Sequence, residues 1–575
     1  MNIFDIFRIK SKFISPWEKY YKSEELDINI PNISMYDQIK LSTHRHPNNV
    51  AIYFMGKKIK YKTLLKKIDY NAKCLKKLGV SKGDIITICL PNVPEALYLV
   101  YAINKLGAIA SMLHPMSSET EIKQSVISTK SKLLFALNTL DKKIYNIIDE
   151  TEIKKCILMT PVYSLNIFKK IIYTIRKPFI TKKSKNTTIY TKFLLSGLFE
   201  KKVPYKRYGY DTPAVILKSG GTSGKQKNVC LQNRCFIYAS IQQRIALSKL
   251  NDKDKALAIM PNFHGFGLSV CMHTPLSFGA GTVLVPVFEP KRFDKLLNKT
   301  KPQVILGVPT LYEALVNNSN IDNLDLSFLK YVISGGDALS SGLEEKVNNY
   351  LSKHNSSVFI TQGYGLSEAL GAVILSFDDR RKERSIGIPL PGNHVKIINP
   401  STRETCKFNE TGEIVINNKA LMMGYLNDEA ETNEALQIHD DGHVWLHTGD
   451  LGYMDEDGFI YYQGREKRLI ITSGYNVYPS YVESVIETHP DVLQCTVVGV
   501  PHPYKQEVGK AFVVLKDNVH NLFIKTELKN YCMKNLSKYM VPASFVIRKK
   551  LPKTKMGKVD FKKLQSDIGS DEIDK

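Results

Sequence analysis

The stretch Lys218–Val229 reads KSGGTSGKQKNV and directly follows Pro213–Leu217, a short apolar run that is typical of a β-strand. Its three glycines allow the backbone to approach a ligand and to point successive N–H groups at it. Side chains that can donate further hydrogen bonds are Ser219, Thr222, Ser223, Lys225 and Lys227. This composition predicts a loop that binds phosphate, with an ordinary surface turn as the alternative. The stretch is not a Walker loop, because no Gly-Lys-Ser/Thr sequence opens a helix here.

Strands and helices alternate on the N-terminal side of this stretch. Asn48–Tyr53 and Lys58–Tyr61 have the pattern of a strand pair, and the apolar spacing of Tyr61–Leu78 predicts a helix. The nearly continuous apolar run Asp84–Leu90 indicates a strand buried on both faces, and Pro94–Leu106 predicts another helix. This alternation predicts an α/β fold with a parallel sheet.

Four further strands on the C-terminal side each run into a loop that contains glycine. These strands are Ala256–Met260, Gln303–Leu306, Tyr331–Ser334 and Val358–Ile360. In an open α/β sheet, the loops at the carboxyl ends of the strands form the ligand crevice. We therefore expect these four loops and the phosphate-binding loop to face one site.

Composition limits the possible classes of protein. A chain of 575 residues with 43% hydrophobic residues predicts two or more domains with large cores. No apolar run is long enough to span a bilayer, and the N-terminus lacks the pattern of a secretory signal. Nine scattered cysteines favour reduced thiols and a cytoplasmic location. The formal charge of +24 is spread along the chain, which favours small anionic ligands over nucleic acid.

Several motifs in a fixed order resemble those of the adenylate-forming superfamily, which includes acyl-CoA synthetases. They are Lys218–Val229, Gln362–Glu368, His447–Asp450, Gly464–Arg465 and Leu551–Lys558. Gln226 and Asn228 depart from the family's phosphate loop, which has proline and glycine there. The resemblance implies a large N-terminal domain of stacked mixed α/β sheets with subdomains, over residues 1–466, and a small mobile α+β domain over residues 467–575. A basic insert over residues 141–208 falls outside the resemblance.

The resemblance also implies roles for individual residues. Tyr364 would stack on the adenine of ATP, Asp450 would accept hydrogen bonds from the ribose, and Glu368 would hold Mg²⁺. The implied catalytic residues are His264, Ser367, Glu368 and Lys558. The implied nucleotide-binding residues are Ser219, Gly220, Gly221, Thr222, Ser223, Gly224, Lys227, Gly336, Gln362, Gly363, Tyr364, Asp450 and Arg465. Lys467 would be the hinge of the C-terminal domain, and Ser473 and Gly474 would line the tunnel for coenzyme A.

The implied reaction joins a carboxylic acid to AMP and then to CoA. The loop around His264 has no aspartate that could hold an amino group, which disfavours amino acids. A medium- or long-chain fatty acid is favoured by apolar residues expected to form a tunnel: Phe263, Phe266, Leu268, Val308 and Leu366. The alternatives are an aryl or hydroxycinnamate CoA ligase, an acyl-AMP ligase that loads an acyl carrier protein, and a non-catalytic sensor. The amphipathic segment Ser164–Arg176 predicts either peripheral membrane contact or an ordinary surface helix.

Overall fold

The computed structural model describes residues 15–160, 186–220, 226–317, 324–377, 379–472, 475–516, 519, 521–554 and 559–567. Within these residues the strands are, in chain order, β1 (Val50–Phe54), β2 (Lys57–Lys60), β3 (Ile85–Cys89), β4 (Ile109–Met112), β5 (Leu133–Leu137), β6 (Lys155–Met159), β7 (Thr187–Ile189), β8 (Pro213–Gly220), β9 (Gln226–Gln232), β10 (Lys255–Ala258), β11 (Gly281–Leu284), β12 (Val304–Gly307), β13 (Tyr331–Gly335), β14 (Ile360–Leu366), β15 (Gly371–Leu375), β16 (Ile388–Pro389), β17 (His394–Ile398), β18 (Gly412–Asn417), β19 (Gly424–Tyr425), β20 (Leu436–Ile438), β21 (Val444–Met454), β22 (Ile460–Arg465), β23 (Ile470–Thr472), β24 (Tyr475–Val477), β25 (Val492–His502), β26 (Gln506–Leu515) and β27 (Ser544–Ile547).

The α-helices within the described residues cover the faces of these strands. They are Ser23–Leu26, Met35–Arg45, Tyr61–Lys77, Pro94–Lys105, Glu119–Thr129, Asp141–Ile147, Tyr190–Ser196, Asn233–Ala246, Thr274–Ser277, Phe293–Thr300, Pro309–Val316, Ser341–Lys353, Glu429–Ala435, Pro479–Glu487, Ile524–Asn535 and Phe561–Ser566. Phe266–His273 adds a π-helix between β10 and β11. Its start packs closely on the preceding segment and requires Gly267, because a Cβ atom there would lie 2.0 Å from the carbonyl oxygen of Pro261.

The strands form four sheets. The first has the order β16-β15-β14-β13-β12-β10-β11-β1-β2, with parallel pairing from β14 through β13, β12 and β10 to β11. The second has the order β19-β9-β8-β4-β3-β5-β6-β7, and the third has the order β17-β18-β21-β20 with β22 on β21. The last has the order β24-β23-β26-β25 with β27 on β26. The large N-terminal domain therefore carries three sheets and the smaller C-terminal domain carries one.

Alternating side chains of the parallel strands enter two different cores. In β13, Ile333 belongs to the main core between the sheets, whereas Val332 packs against helices on the opposite face. The helix Pro94–Lys105 is buried along its whole length between two such layers. Because both faces of these sheets are covered, their strands are almost continuously apolar, as the sequence of β3 predicted.

Most of the predicted elements are confirmed within one or two residues, but the stretch after Ile360 differs from its prediction. Residues Gln362–Leu366 were expected in a loop, and they form most of β14, which pairs with both β13 and β15. Gly365 makes the close pairing with β15 possible, because a Cβ atom there would lie 1.7 Å from the carbonyl oxygen of Gly371. The short 3₁₀ turn Ser367–Ala369 then connects β14 to β15.

The basic insert is partly folded into the second sheet. The helix Asp141–Ile147, strands β6 and β7 and the helix Tyr190–Ser196 all lie within residues 141–208. The predicted amphipathic segment Ser164–Arg176 lies outside the described residues. None of the helices in the described part of the chain is long and apolar enough to cross a membrane. The predicted boundary after residue 466 falls in the 3₁₀ turn Glu466–Arg468, between the third and the last sheet.

Candidate active site

A pocket opens at the carboxyl edge of the nine-stranded sheet and encloses about 680 Å³, including its open mouth. Most of its wall is apolar: Ala246, Leu247, Phe266, Val270, Leu306, Ile333, Leu366, Ala372, Leu375 and Leu390. Its polar lining residues are Gln243, His264, Tyr364 and Ser367. An apolar wall with a few polar groups is typical of small-molecule sites.

The structure brings several predicted site residues together at this pocket. His264, Gly336, Gly363, Tyr364 and Ser367 line it, and they come from three different strand ends. Gln362 lies in β14 beside them. Loops after β10 and β13 and the end of β14 therefore line one cavity with Leu306 of β12, whereas Gly221–Gly224 of the phosphate-binding loop lie outside the described residues.

The predicted apolar tunnel is only partly correct. Phe266 and Leu366 line the pocket, whereas Phe263, Leu268 and Val308 are not among its lining residues. Leu268 is fully buried in the main core, and the ring of Phe263 packs on His114 at 4.5 Å. Val308 packs against the second core. The π-helix accounts for the difference at Leu268, because its winding decides which side chains reach the cavity.

Asp450 joins the nine-stranded sheet to the third sheet. Its Oδ2 accepts a hydrogen bond of 2.8 Å from the Tyr364 hydroxyl, and its Oδ1 lies 3.1 Å from Nε of Arg465. Asp450 and Arg465 are paired neighbours in β21 and β22. Burial, followed by the nearby Asp450 charge, raises the pKa of Tyr364 well above its usual value. This polar corner, formed by Tyr364, Asp450 and Arg465, contains the three residues for which the resemblance implies nucleoside contacts.

A buried carboxylate supports the loop that carries Asp450. Glu413 accepts a hydrogen bond of 2.9 Å from the backbone N–H of Gly449, and its other oxygen lies 2.8 Å from Nδ1 of His447. The Asp450 N–H donates to the hydroxyl of Thr448. Burial alone would raise the pKa of Glu413, but the bonds from His447 and Gly449 hold it below its usual value. The sequence analysis did not identify this role of Glu413.

Tyr425 connects Glu368 to the strand that follows the phosphate-binding stretch. Its hydroxyl donates a hydrogen bond of 3.0 Å to Oε1 of Glu368. Its backbone lies in β19, opposite Val229 in β9. The backbone N–H of Met422 donates to the Glu368 carbonyl at 2.7 Å. Glu368 is therefore fixed relative to β9 through β19, a connection that motif spacing did not reveal.

Lys227 has partners within the protein. Its ammonium group pairs with Glu431 and lies 4.7 Å above the ring of Tyr425. This ion pair is part-exposed and therefore weak. The structure thus places Lys227 next to the Tyr425–Glu368 contact.

Asn228 and Gln226, the two residues that differ from the family's phosphate loop, contact other residues of the β8–β9 hairpin. Asn228 accepts a hydrogen bond from the Lys218 ammonium, directly across the β8–β9 hairpin. It donates to the hydroxyl of Ser128 at 3.3 Å. Burial lowers the pKa of Lys218 to about 8. Gln226 lies opposite Gly220 in the same hairpin.

The remaining predicted site residues are distributed as follows. Ser219 and Gly220 end β8, and Lys467 lies in the turn Glu466–Arg468. The others lie outside the described residues: Gly221, Thr222, Ser223, Gly224, Ser473, Gly474 and Lys558. Their roles stay predictions.

The residues around Glu368 fit the predicted magnesium ion. The described residues contain no group of three or more histidine, cysteine or acidic side chains arranged around a metal. Mg²⁺ commonly takes one or two protein carboxylates, together with substrate phosphates and water. The carboxylate of Glu368, oriented by Tyr425, is suited to this kind of shared coordination.

Comparison with known proteins identifies the family. The pattern described as AMP-binding enzyme matches residues 39–426, and the AMP-binding enzyme C-terminal domain matches residues 481–558. This chain belongs to the AMP-binding enzyme family. The resemblance to adenylate-forming enzymes and the predicted fold class are thereby confirmed.

Relatives of this AMP-binding enzyme include ligases for two kinds of acid. A long-chain-fatty-acid–CoA ligase of Bacillus subtilis (strain 168) is 31% identical over 559 residues, which covers 95% of this chain and 96% of the relative. A probable 4-coumarate–CoA ligase 1 of Dictyostelium discoideum is 32% identical over 449 residues, which covers 77% and 78% of the two chains. The enzyme class shared by these relatives, acid–thiol ligase, is the class of this chain.

Solved structures share the fold of this AMP-binding enzyme. The anthranilate CoA ligase AuaEII, in complex with anthranoyl-AMP, aligns with a TM-score of 0.82 at 20% identity and covers 96% of this chain and 100% of its own. ATP-bound MatB from Rhodopseudomonas palustris aligns with a TM-score of 0.80 at 22% identity, covering 93% and 99%.

Proposed function

We propose that this protein joins a medium- or long-chain fatty acid to coenzyme A through an acyl-adenylate made from ATP. The observation that carries the proposal is the apolar pocket beside the Tyr364–Asp450–Arg465 corner. An apolar acyl chain would bury its surface against Leu247, Val270 and the other aliphatic lining residues. The similarity to the Bacillus subtilis fatty-acid ligase along nearly the whole chain supports the same substrate class.

In the first half-reaction, an oxygen of the acid attacks the α-phosphorus of ATP, and the bond to pyrophosphate breaks. Tyr364, Asp450 and Arg465 would hold the nucleoside, and Ser367 would contact the α-phosphate. Mg²⁺, held by Glu368, would neutralise the triphosphate charge. The resemblance implies that Lys558 neutralises the negative charge that develops on the phosphate oxygens. The protein's contribution is alignment and charge stabilisation, without a covalent enzyme intermediate.

In the second half-reaction, the CoA thiolate attacks the acyl carbon, and the bond to AMP breaks. The resemblance implies that the C-terminal domain turns about Lys467 between the two half-reactions. This motion would withdraw Lys558 and bring Ser473 and Gly474 to the entry of the thiol.

A hydroxycinnamate or other aryl acid is the second candidate, favoured by similarity to the Dictyostelium 4-coumarate–CoA ligase. Pyrophosphate release should be measured across fatty, aryl and amino acids, with and without CoA and with an acyl carrier protein. We expect fast CoA-dependent release with fatty acids. Faster turnover with 4-coumarate would favour the aryl alternative, and acyl transfer only to the carrier protein would favour the carrier-loading ligase. No release with any acid would favour a sensor.

A further inference from the structure

An ion pair connects the C-terminal domain to the N-terminal domain. Nζ of Lys553, near the start of the motif Leu551–Lys558, lies 3.6 Å from Oε2 of Glu313. Glu313 belongs to the helix Pro309–Val316, which begins just after β12. Strand β12 contributes Leu306 to the wall of the pocket. The ion pair therefore joins the C-terminal domain to a helix that directly follows a pocket-lining strand.

The backbone links Lys553 to the segment in which the resemblance implies the catalytic lysine. Lys553 forms an isolated antiparallel bridge with Val559. The bridge fixes the two ends of a short loop, of which residues 555–558 lie outside the described part of the chain. An ion pair at Lys553 therefore sets the position of both ends of this loop relative to the N-terminal domain.

A second contact brings the same two domains together. The helix Pro479–Glu487 of the C-terminal domain ends beside Gly342 of the N-terminal domain, where a Cβ atom would lie 3.9 Å from the carbonyl oxygen of Glu487. Burial is the main reason that the pKa of Glu487 is raised to about 8, and the charge of Glu313 contributes. Because acidic side chains gather at this contact, the ammonium group of Lys553 reduces their mutual repulsion.

The hairpin of the C-terminal domain that would line the tunnel for CoA carries exposed side chains. In β23 and β24, Ile471 is 43% exposed and Tyr475 is 57% exposed. Neither residue lines the pocket. The structure thus shows a pose in which the motif Leu551–Lys558 contacts the N-terminal domain through Lys553. In the proposed function, this pose corresponds to adenylate formation, because the resemblance implies that Lys558 acts in that step.

We propose that Glu313 is a positioning residue that holds the C-terminal domain in the pose for adenylate formation by pairing with Lys553. The inference rests on the proposed function, in which this domain turns between the two half-reactions. The turn would separate the two charges, so the ion pair favours only the first pose. Because both side chains are part-exposed, the pair contributes modestly, and reversing one charge should have a larger effect than neutralising it.

The test measures the two half-reactions separately in the full-length protein. Adenylate formation is followed by single-turnover pyrophosphate release without CoA, with the acid that the unmodified protein uses best. Thioester formation is followed from CoA and the supplied adenylate of the same acid. In Glu313→Lys, which places two ammonium groups together, adenylate formation should slow about 10-fold, whereas thioester formation should keep its rate or become faster. Glu313→Gln should slow adenylate formation only about threefold.

The two charges can also be exchanged. Combining Glu313→Lys with Lys553→Glu restores the attraction, so adenylate formation should recover to within about threefold of the unmodified rate. Glu289→Lys is the matched control, because it reverses one charge of an exposed pair with Arg292 inside the N-terminal domain, and it should change neither rate. If the charge-reversed variants do not fold, Glu313→Gln provides the test by itself.

Equal slowing of both half-reactions in folded Glu313→Lys would indicate a general structural effect and would refute the inference. Unchanged adenylate formation in that variant, or in Glu313→Gln where only that variant folds, would refute it as well. So would an exchanged pair that is no faster than Glu313→Lys alone. These outcomes leave the proposed function intact, because the unmodified protein still converts the acid. Absence of adenylate formation in the unmodified protein with every acid would contradict the proposed function itself.

Discussion

The two sides of the pocket differ in how their polar groups are paired. On the nucleotide side, the carboxylates of Asp450, Glu413 and Glu368 are each bonded to neighbouring protein groups. On the acyl side, the amide nitrogen of Gln243 has no partner among the described residues. A ligand that replaces an existing hydrogen bond gains little net free energy, whereas one that pairs a buried free group removes a cost. The hydrogen bonds on the nucleotide side therefore hold its carboxylates in position, whereas on the acyl side the buried amide nitrogen of Gln243 is not held in this way.

Removing Asp450 should disrupt the nucleotide side most strongly. Asp450→Ala removes the acceptor for the ribose hydroxyls and leaves Arg465 without its carboxylate, so kcat/KM for ATP should fall about 100-fold or more. Pyrophosphate release at varied ATP concentration measures this effect. Asp457→Asn is the control, because Asp457 forms exposed ion pairs with Lys19 and Lys382. A loss below tenfold in a folded Asp450→Ala protein would contradict the role of this corner.

Glu413→Gln should have a smaller effect, because Glu413 acts on the nucleotide only through Gly449 and Asp450. The variant loses the charge that binds His447, so we expect KM for ATP to rise about tenfold with a much smaller change in kcat. Binding of an AMP analogue should weaken in parallel, which a general loss of stability would not produce. Glu410→Gln, at an exposed site in the same region, should change neither quantity. Equal losses in KM and kcat would argue against a positioning role.

Tyr425→Phe tests the contact between β19 and Glu368. Loss of one hydroxyl donor to a carboxylate should raise the Mg²⁺ concentration for half-maximal adenylate formation about fivefold. The phenyl ring keeps the packing of Lys227, so stability should change little. Tyr504→Phe, at a side chain that is 92% exposed, provides the control. An unchanged Mg²⁺ requirement would show that Tyr425 does not orient Glu368.

Lys218→Met should affect stability rather than substrate use, and its effect should depend on pH. Burial lowers the pKa of Lys218 from its usual 10.5 to about 8 in the folded protein. Between these two values the unfolded chain binds more protons than the folded chain, so the stability of the unmodified protein rises with pH. Relative to Lys218→Met, its free energy of unfolding should therefore increase from about pH 8 to about pH 10.5 and stay constant below pH 8. Urea unfolding of both proteins across this range measures the difference. A pH-independent difference would mean that Lys218 is not held in a desolvating position.

The sequence predicted elements and residues whose signal is local. The apolar run at Ile85–Cys89 and the helical spacing of Tyr61–Lys77 depend on neighbouring residues only, and both elements formed as expected. Tyr364, Asp450 and Arg465 lay in recognisable motifs, and the structure brings them together. The prediction at Gln362–Leu366 was wrong because glycines are read as loop signals, whereas here they allow close strand pairing.

Contacts between distant segments could not be predicted in this way. Glu413 reaches Gly449 through the pairing of β18 with β21, and Tyr425 in the second sheet reaches Glu368 beside the first sheet. The tunnel residues show the same limit, because the π-helix directs Leu268 into the core while Phe266 reaches the pocket.

The sequence by itself determined the family, the order of strands and helices, and the chemical types of residue around the nucleotide, because these depend on local pattern and composition. Only the tertiary structure decided which carboxylates are paired and that the amide nitrogen of Gln243 has no partner among the described residues. Hydrogen bonding between residues far apart in the chain is set by the packing of helices on sheets, and no short stretch of sequence contains that information.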